Sequence, residues 1–211
     1  MGSLLDVAPD VGIDQQEDQP LTVASRHLAQ GLASLRRSSR RPRRDCDIRH
    51  RALTALEQHI PEFTLVTQNI DSLHQRAGSR RVIELHGNIN RTKCFEENVI
   101  VESWEESSEA PPHCPRCGGR LRPDVVWFGE NLPEQAFQEA VEAAVYADVF
   151  FAIGTSGTVE PAASLARVAQ RFGATVVILN LDVEPLEAPP LYHIHGNAGS
   201  ILPALVQATW P

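Results

Sequence analysis

Four short apolar runs, each followed by a polar cluster, predict an α/β protein with a doubly wound parallel sheet. The runs are FTLVTQN (63–69), VIELHG (82–87), DVFFAIG (148–154) and ATVVILN (174–180). The last two are almost continuously apolar, as strands covered on both faces must be. Between them, PAASLARVAQRFG (161–173) reads as an amphipathic helix, with Pro161 in its first turn and Gly173 ending it. A second helix, PEQAFQEAVEAAVYA (133–147), leads into the 148–154 run. Helices alternating with strands in this way connect parallel neighbours.

From the N-terminus, residues 1–20 are acidic, lack periodicity and are read as disordered. Residues 21–35 fit a short helix with Leu28, Leu32 and Leu35 on one side. Arg36 to Arg44 holds six arginines in nine residues and reads as a solvated loop. Residues 47–60 predict a helix whose apolar stripe is Ile48, Ala52, Ala55 and Leu56. The stretch 91–122 breaks the α/β rhythm: it is acidic, rich in proline and carries three cysteines, which suggests an inserted small module. The expected organisation is a variable, partly disordered, Arg-rich segment (1–46), a parallel-sheet domain (47–90 and 123–211) and the module (91–122).

The 211 residues suffice for one domain with a real core. A net charge of −8 argues against nucleic acid as the main partner. No apolar window is long enough for a membrane span, and the N-terminus lacks the basic start and apolar run of a secretory signal. Of the four cysteines, Cys46, Cys94, Cys114 and Cys117, the last two form a C-x-x-C pair. In the cytoplasmic setting this predicts, the pair reads as metal-binding or redox-active, not as a structural disulfide.

Open α/β sheets bind ligands outside the carboxyl ends of their strands. Gln68, Asn69 and Asp71 follow the first run, and His86 and Gly87 the second. Gly154, Thr155 and Ser156 follow the third, and Asn180 and Asp182 the fourth. Each cluster alone is a weak signal. Four at consecutive strand ends suggest one crevice.

The motifs TQNIDSLHQRAG, IELHGN, CPRCGG-x-LRPDVVWFGENLP, GTSGTVEPAASLA, VVILNLD and HIHGNAGSILPALV stand in the order and spacing of sirtuins. About three quarters of the chain resembles that family, and VVWFGE is similar to the branch holding bacterial enzymes and the desuccinylase group. The resemblance implies a Rossmann-like sheet, an inserted zinc-ribbon-like module and NAD-dependent removal of acyl groups from protein lysines. In the family's reaction the acyl-lysine amide oxygen attacks the anomeric carbon of the nicotinamide ribose, and nicotinamide leaves. His86 then corresponds to the general base, a task suited to a neutral imidazole. Gln68, Asn69, Ile70 and Asp71 would orient the ribose and the nicotinamide amide. Gly154, Thr155 and Ser156 would meet the phosphates. Asn180, Leu181 and Asp182 would meet the adenosine ribose, and Ala198 the adenine. Val125, Val126, Phe128, Gly129 and Glu130 would form the acyl-lysine cleft, where an extended substrate adds as a strand.

The chain departs from the family pattern in three places. Neither the GAG-x-S loop nor the GIP-x-FR motif is found, and Gly2, Gly12 and Gly31 are the only glycines before residue 50. The expectation is a sheet lacking its first strand, weak NAD binding through the adenosine end, and, as an alternative function, a catalytically impaired NAD or ADP-ribose binding module. In the metal module Cys94, Cys114 and Cys117 match, but Glu97 occupies the fourth cysteine position. Glu97 could supply an oxygen, whereas His113, adjacent to Cys114, is poorly placed; the alternative is a metal-free loop held by packing. Finally, the Tyr-x-x-Arg pair that grips acidic acyl groups falls near Ala33 and Arg36, without the tyrosine. Acyl preference stays open.

Overall fold

A computed structural model describes residues 47–105, 111–184, 186–188 and 190–210. The expected acidic segment, the 21–35 helix, the arginine run, Cys46 and the three early glycines lie outside them.

Helix α1 (Ile48–His59) starts where Asp47 accepts hydrogen bonds from the backbone N–H groups of Arg49 and His50, satisfying donors the first turn leaves unpaired. Its inward face differs from the predicted stripe. Ile48 is exposed, while His50 and Thr54 are buried beside Ala52 and Leu56. Those polar side chains go inside because partners await them: His50 Nδ1 lies 2.8 Å from Asp47, and the Thr54 hydroxyl reaches the Ala77 carbonyl and Ser79.

Strands β1 (Leu65–Thr67) and β2 (Val82–Glu84) pair in parallel, with the short helix α2 (Leu73–Ala77) between them. Strands β3 (Gly87–Cys94) and β4 (Leu121–Val125) form an antiparallel pair at the root of the cysteine-bearing segment. Gly87 begins β3 with φ +71°, and a Cβ there would stand 2.2 Å from the Asp124 carbonyl oxygen, so only glycine fits.

Helix α3 (Glu134–Val145), β5 (Val149–Ile153), helix α4 (Ser164–Arg171) and β6 (Thr175–Asn180) follow. Helix α4 begins three residues beyond Pro161, because residues 159–163 form a turn in which Ala163 N–H donates to the Val159 carbonyl. It ends as expected at Gly173, whose φ of +99° lets Ala174 N–H reach the Ala169 carbonyl and Gly173 N–H the Gln170 carbonyl. Four strands went unread in the sequence: β3, β4, β7 (Leu186–Ala188) and β8 (Leu191–His195); β8 runs parallel to β6, and β7 is an antiparallel edge. Helix α5 (Ala198–Thr209) closes the chain.

The second sheet has order β5-β6-β8-β7 and is wound on both faces. Phe150, Val176 and Ile178 face α3 and α4 in a core with Leu85, Ala140, Ala144, Leu165 and Ala169. Ile153 and Leu179 face α1 and α5, meeting Ala52 and Leu202. The alternation within β6 is the two-residue period of a strand. One expectation fails: β5 is not covered on both faces. Val149 is 52% exposed and Phe151 38%. Among the described residues β5 is an edge strand, bonded only to β6, and Phe151 borders a cavity that Leu202 and Leu205 of α5 also line. The alanine-rich α3 joins the two parallel sheets: it contacts β2, and its Ala140 and Ala144 share one core with Leu85, just past β2, and with Val176 of β6.

Candidate functional site

The ends of β1, β2, β5 and β6 are linked by a continuous run of hydrogen bonds. His86, just past β2, sets its ring Nδ1 3.1 Å from the Gln68 carbonyl. A carbonyl only accepts, so Nδ1 carries the proton and the neutral ring keeps its lone pair on Nε2. The Gln68 side-chain amide donates to the Thr155 hydroxyl at 3.4 Å. The Thr155 carbonyl accepts from the Asn180 amide at 2.8 Å. Four strand ends predicted to share a crevice are thus brought together, and the Gln68–Thr155 contact crosses from one parallel sheet to the other.

The remaining predicted residues surround this line. Asn69 and Asp71 are exposed at the β1 end. Asn69 N–H donates to Thr67 Oγ1, and Asp71 accepts from Leu73 N–H at 3.1 Å at the start of α2. The Ile70 carbonyl accepts from Ile89 N–H, tying this loop to β3. Past β5, Gly154 and Ser156 are exposed; Ser156 pairs with the Thr158 hydroxyl, and Gly157 N–H turns in to Thr155 Oγ1. Past β6, Asn180 Oδ1 accepts from Leu181 N–H, while Leu181 and Asp182 are exposed. Gly196 N–H donates to the Asn180 carbonyl, which brings Ala198, the first residue of α5, to the same edge.

Val126 N–H donates to the His86 carbonyl at 3.0 Å, so the 125–130 segment lies against the His86 loop. Val125 is buried, Val126 half-buried, Phe128 fully exposed and Gly129 exposed. Glu130 is not a free acid. It binds the Arg122 guanidinium and accepts from Trp127 N–H at 2.9 Å. Burial works to raise its pKa, but the bonds from Arg122 and Trp127 outweigh that and hold the carboxyl below its usual range. Arg122 itself is the residue that sequence reasoning missed. It is 4% exposed, donates to the Val125 carbonyl at 2.6 Å and lies over the Trp127 ring at 3.5 Å. Its pairing depends on Glu130 and Trp127 folding back over β4, which the local sequence LRPDV does not signal.

In the cysteine-bearing segment the ligand atoms of Cys94, Glu97, Cys114 and Cys117 all lie within 4.8 Å of one another. Cys94 and Cys117 have their sulfurs 3.4 Å apart and are free thiols. Tetrahedral zinc with sulfur bonds of about 2.3 Å spaces its ligands by about 3.8 Å, so this donor set fits such an ion with small movements. Burial disfavours the Cys114 thiolate, but N–H groups of Cys117 and Arg116 directed at its sulfur prevail and lower its pKa. His113 points elsewhere, its Nδ1 2.8 Å from the Gly118 carbonyl.

A doubly wound parallel sheet with polar groups converging at its strand ends is the architecture of a dinucleotide-binding protein. The chain belongs to the Sir2 family, whose model matches residues 18–161. It is 48% identical over 160 residues to NAD-dependent protein deacylase 2 of Pyrobaculum aerophilum, a match covering 75% of this chain and 64% of that protein. It is 51% identical over 138 residues to the NAD-dependent protein deacylase of Aquifex aeolicus, covering 65% of this chain and 58% of the relative. The match thus spans less than two thirds of either relative's length. A solved Sir2 complex with a p53 peptide and NAD+ superposes with a TM-score of 0.68 at 33% identity, over 78% of this chain and 70% of that one.

Proposed function

We propose that this chain is an NAD-dependent protein-lysine deacylase, which transfers an acyl group from lysine to ADP-ribose and releases nicotinamide. The observation that carries the reading is the hydrogen-bonded line from His86 through Gln68 and Thr155 to Asn180. It joins a group able to take a proton to groups able to hold a nucleotide, across neighbouring strand ends. The deacylase names of the relatives and the NAD+ complex of the similar structure support it.

NAD supplies an activated ribose whose nicotinamide can leave. In this reading His86, its Nδ1 proton held by the Gln68 carbonyl, presents Nε2 as the general base for a ribose hydroxyl. Gln68, Asn69, Ile70 and Asp71 orient the ribose and the nicotinamide amide. Gly154, Thr155 and Ser156 face the phosphates, and Asn180, Leu181, Asp182 and Ala198 hold the adenosine. The acylated peptide adds as a strand along Val125, Val126, Phe128, Gly129 and Glu130, close to His86 because Val126 is tied to that loop. Arg122 keeps the segment in place. Residues 47–90 and 123–211 form the NAD-binding part and 91–122 the metal module, with zinc in a structural role. A cytoplasmic setting suits three thiols kept within ligand range. Among the described residues no helix is long and apolar enough to cross a membrane.

The test uses the full chain with NAD and acetylated and succinylated peptides, measuring nicotinamide. Release that requires both the acyl group and His86 is expected. No release with any acylated peptide, or release indifferent to His86→Ala, would overturn the proposal.

A further inference from the structure

The two turns that carry the candidate metal ligands repeat one another, although their sequences share little. In the first, Cys94 N–H donates to the Val99 carbonyl at 2.8 Å, and Asn98 N–H returns to the Cys94 carbonyl at 3.0 Å. In the second, Cys114 N–H donates to the Gly119 carbonyl at 2.7 Å, and Gly118 N–H returns to the Cys114 carbonyl at 2.9 Å. The residue four past the first cysteine is left-handed in both, Asn98 at φ +52° and Gly118 at φ +73°. Asparagine is one of the few side chains that tolerates that conformation. The superposition is position by position: Cys94 on Cys114, Asn98 on Gly118, and therefore Glu97 on Cys117.

We propose that Glu97 is the fourth ligand of a tetrahedral metal ion held by Cys94, Cys114 and Cys117, and that Arg116 holds the carboxylate oxygen the metal leaves free. The inference rests on reading the module as a metal site. Three observations carry it. The backbone repeat delivers residue 97 to a ligand position. The carboxylate lies within the 4.8 Å group formed by the three sulfurs. Its Oε2 is 3.3 Å from Arg116 Nε, so one oxygen is already turned toward a cation on the opposite turn. Glu97 N–H also lies 3.4 Å from Cys94 Sγ, which ties residue 97 to the sulfur beside it.

Three thiolates, one carboxylate and a divalent ion sum to a formal charge of −2, and Arg116 halves it. A carboxylate is a harder ligand than a thiolate. The site therefore keeps zinc as its metal but holds it less tightly than four thiolates would, and gives it up to chelators sooner.

The test is a cobalt(II) titration of the reduced full chain in a Cys46→Ser background, where the cluster thiols are the only ones. It is read by visible d–d bands and near-ultraviolet thiolate charge transfer, with zinc competition giving affinities. One tetrahedral cobalt per chain is expected. Glu97→Ala should weaken binding by at least about 10-fold and Arg116→Ala by about 10-fold, since loss of even an outer partner costs that much. Glu97→Cys should tighten binding and raise the charge-transfer absorption by a third, from three thiolates to four. Unchanged affinity and spectrum in a folded Glu97→Ala chain would overturn the proposal. So would a parent chain that binds no cobalt while Glu97→Cys binds one ion tightly, which would leave the metal cage standing without its carboxylate. If neither chain binds, the metal reading falls, and the carboxylate ligand with it.

Discussion

The two parallel sheets differ in how much protein stands behind them. β1 and β2 are three residues each and pair only with one another among the described residues. The β5-β6-β8-β7 sheet has strands of up to six residues and helices on both faces. Yet His86, Asn69 and Asp71, the residues closest to the proposed chemistry, follow the smaller sheet. The larger sheet contributes Thr155 and Asn180, the residues proposed to hold the nucleotide. The proposed chemistry thus falls on the lightly built side, which polar contacts and α3 tie to the larger sheet. Functional groups are commonly drawn from the less stable parts of a fold, where movement is affordable. Activity and stability should therefore separate by sheet.

The sharpest break comes from His86→Ala. It should lower deacylation by about 100- to 10,000-fold, the range for removing a general base. His86 is half-buried and its ring makes one bond to a carbonyl, so circular dichroism and melting temperature should hardly change. Loss of activity through unfolding would show that the smaller sheet has no stability to spare. The converse is Leu179→Ala. Leu179 is 1% exposed between β6 and the α1–α5 layer, and truncating such a leucine costs about 2–5 kcal/mol. Urea denaturation should show that loss with the cofactor affinity of the surviving folded fraction unchanged.

The same division explains what the sequence made legible. ATVVILN read as a strand because burial on both faces makes a continuous apolar run, and the end of α4 read correctly because Gly173 meets a backbone need that glycine serves best. β8 was hidden: LYHIH is half polar, and its pairing with β6 is set by a distant partner, not by local pattern. β5 showed the opposite error, an apolar run whose outer face is open. His50 and Thr54 were placed outside the stripe because periodicity counts apolar residues and cannot see Asp47 or Ala77 waiting. That the residues after β1, β2, β5 and β6 lie together was readable, because parallel strands end on the same side of their sheet. Arg122 was not, since its role depends on Trp127 and Glu130 folding back over β4. Glu97 could be noticed in the sequence, but its place beside the three sulfurs depends on the shape of two turns.

A smaller effect is expected at the tie between β4 and the 125–130 segment. Glu130→Gln keeps the shape but removes the charge facing Arg122, which is almost wholly buried. Hydrogen bonds to charged groups contribute about 1.5–3 kcal/mol, and the exposed side of Glu130 places this pair near the lower figure. The carboxyl pKa is lowered in the folded state, so the pair's contribution is fully present above the ordinary value of 4.5 and is lost as pH falls through the folded value. Thermal melts should show the parent losing more stability than Glu130→Gln as the buffer is taken below that value. Parallel curves would show that the tie is packing of Trp127 on Arg122, not charge.

The smallest expected effect is at the larger-sheet end of the line of hydrogen bonds that joins the sheets. Asn180 spends its amide on the Thr155 carbonyl and its oxygen on Leu181 N–H, so the side chain shapes both loops of the proposed nucleotide side. Asn180→Ala removes two neutral hydrogen bonds at a half-buried position. Each is worth about 0.5–1.5 kcal/mol net, and water can replace part of that. Stability should fall by about 1 kcal/mol, because the β6 backbone, its pairing with β5 and β8 and the Gly196 bond to the Asn180 carbonyl all remain. The larger consequence is for binding: Thr155 is freed on one side while still held by Gln68, and the adenosine end loses its preorganised edge. Titration calorimetry with ADP-ribose should show a weakening of several-fold, and the KM for NAD should rise while kcat stays near the parent value. A fall in kcat with KM unchanged would mean that the run from Asn180 to His86 positions the base, and that the two sheets act as one unit in the chemistry.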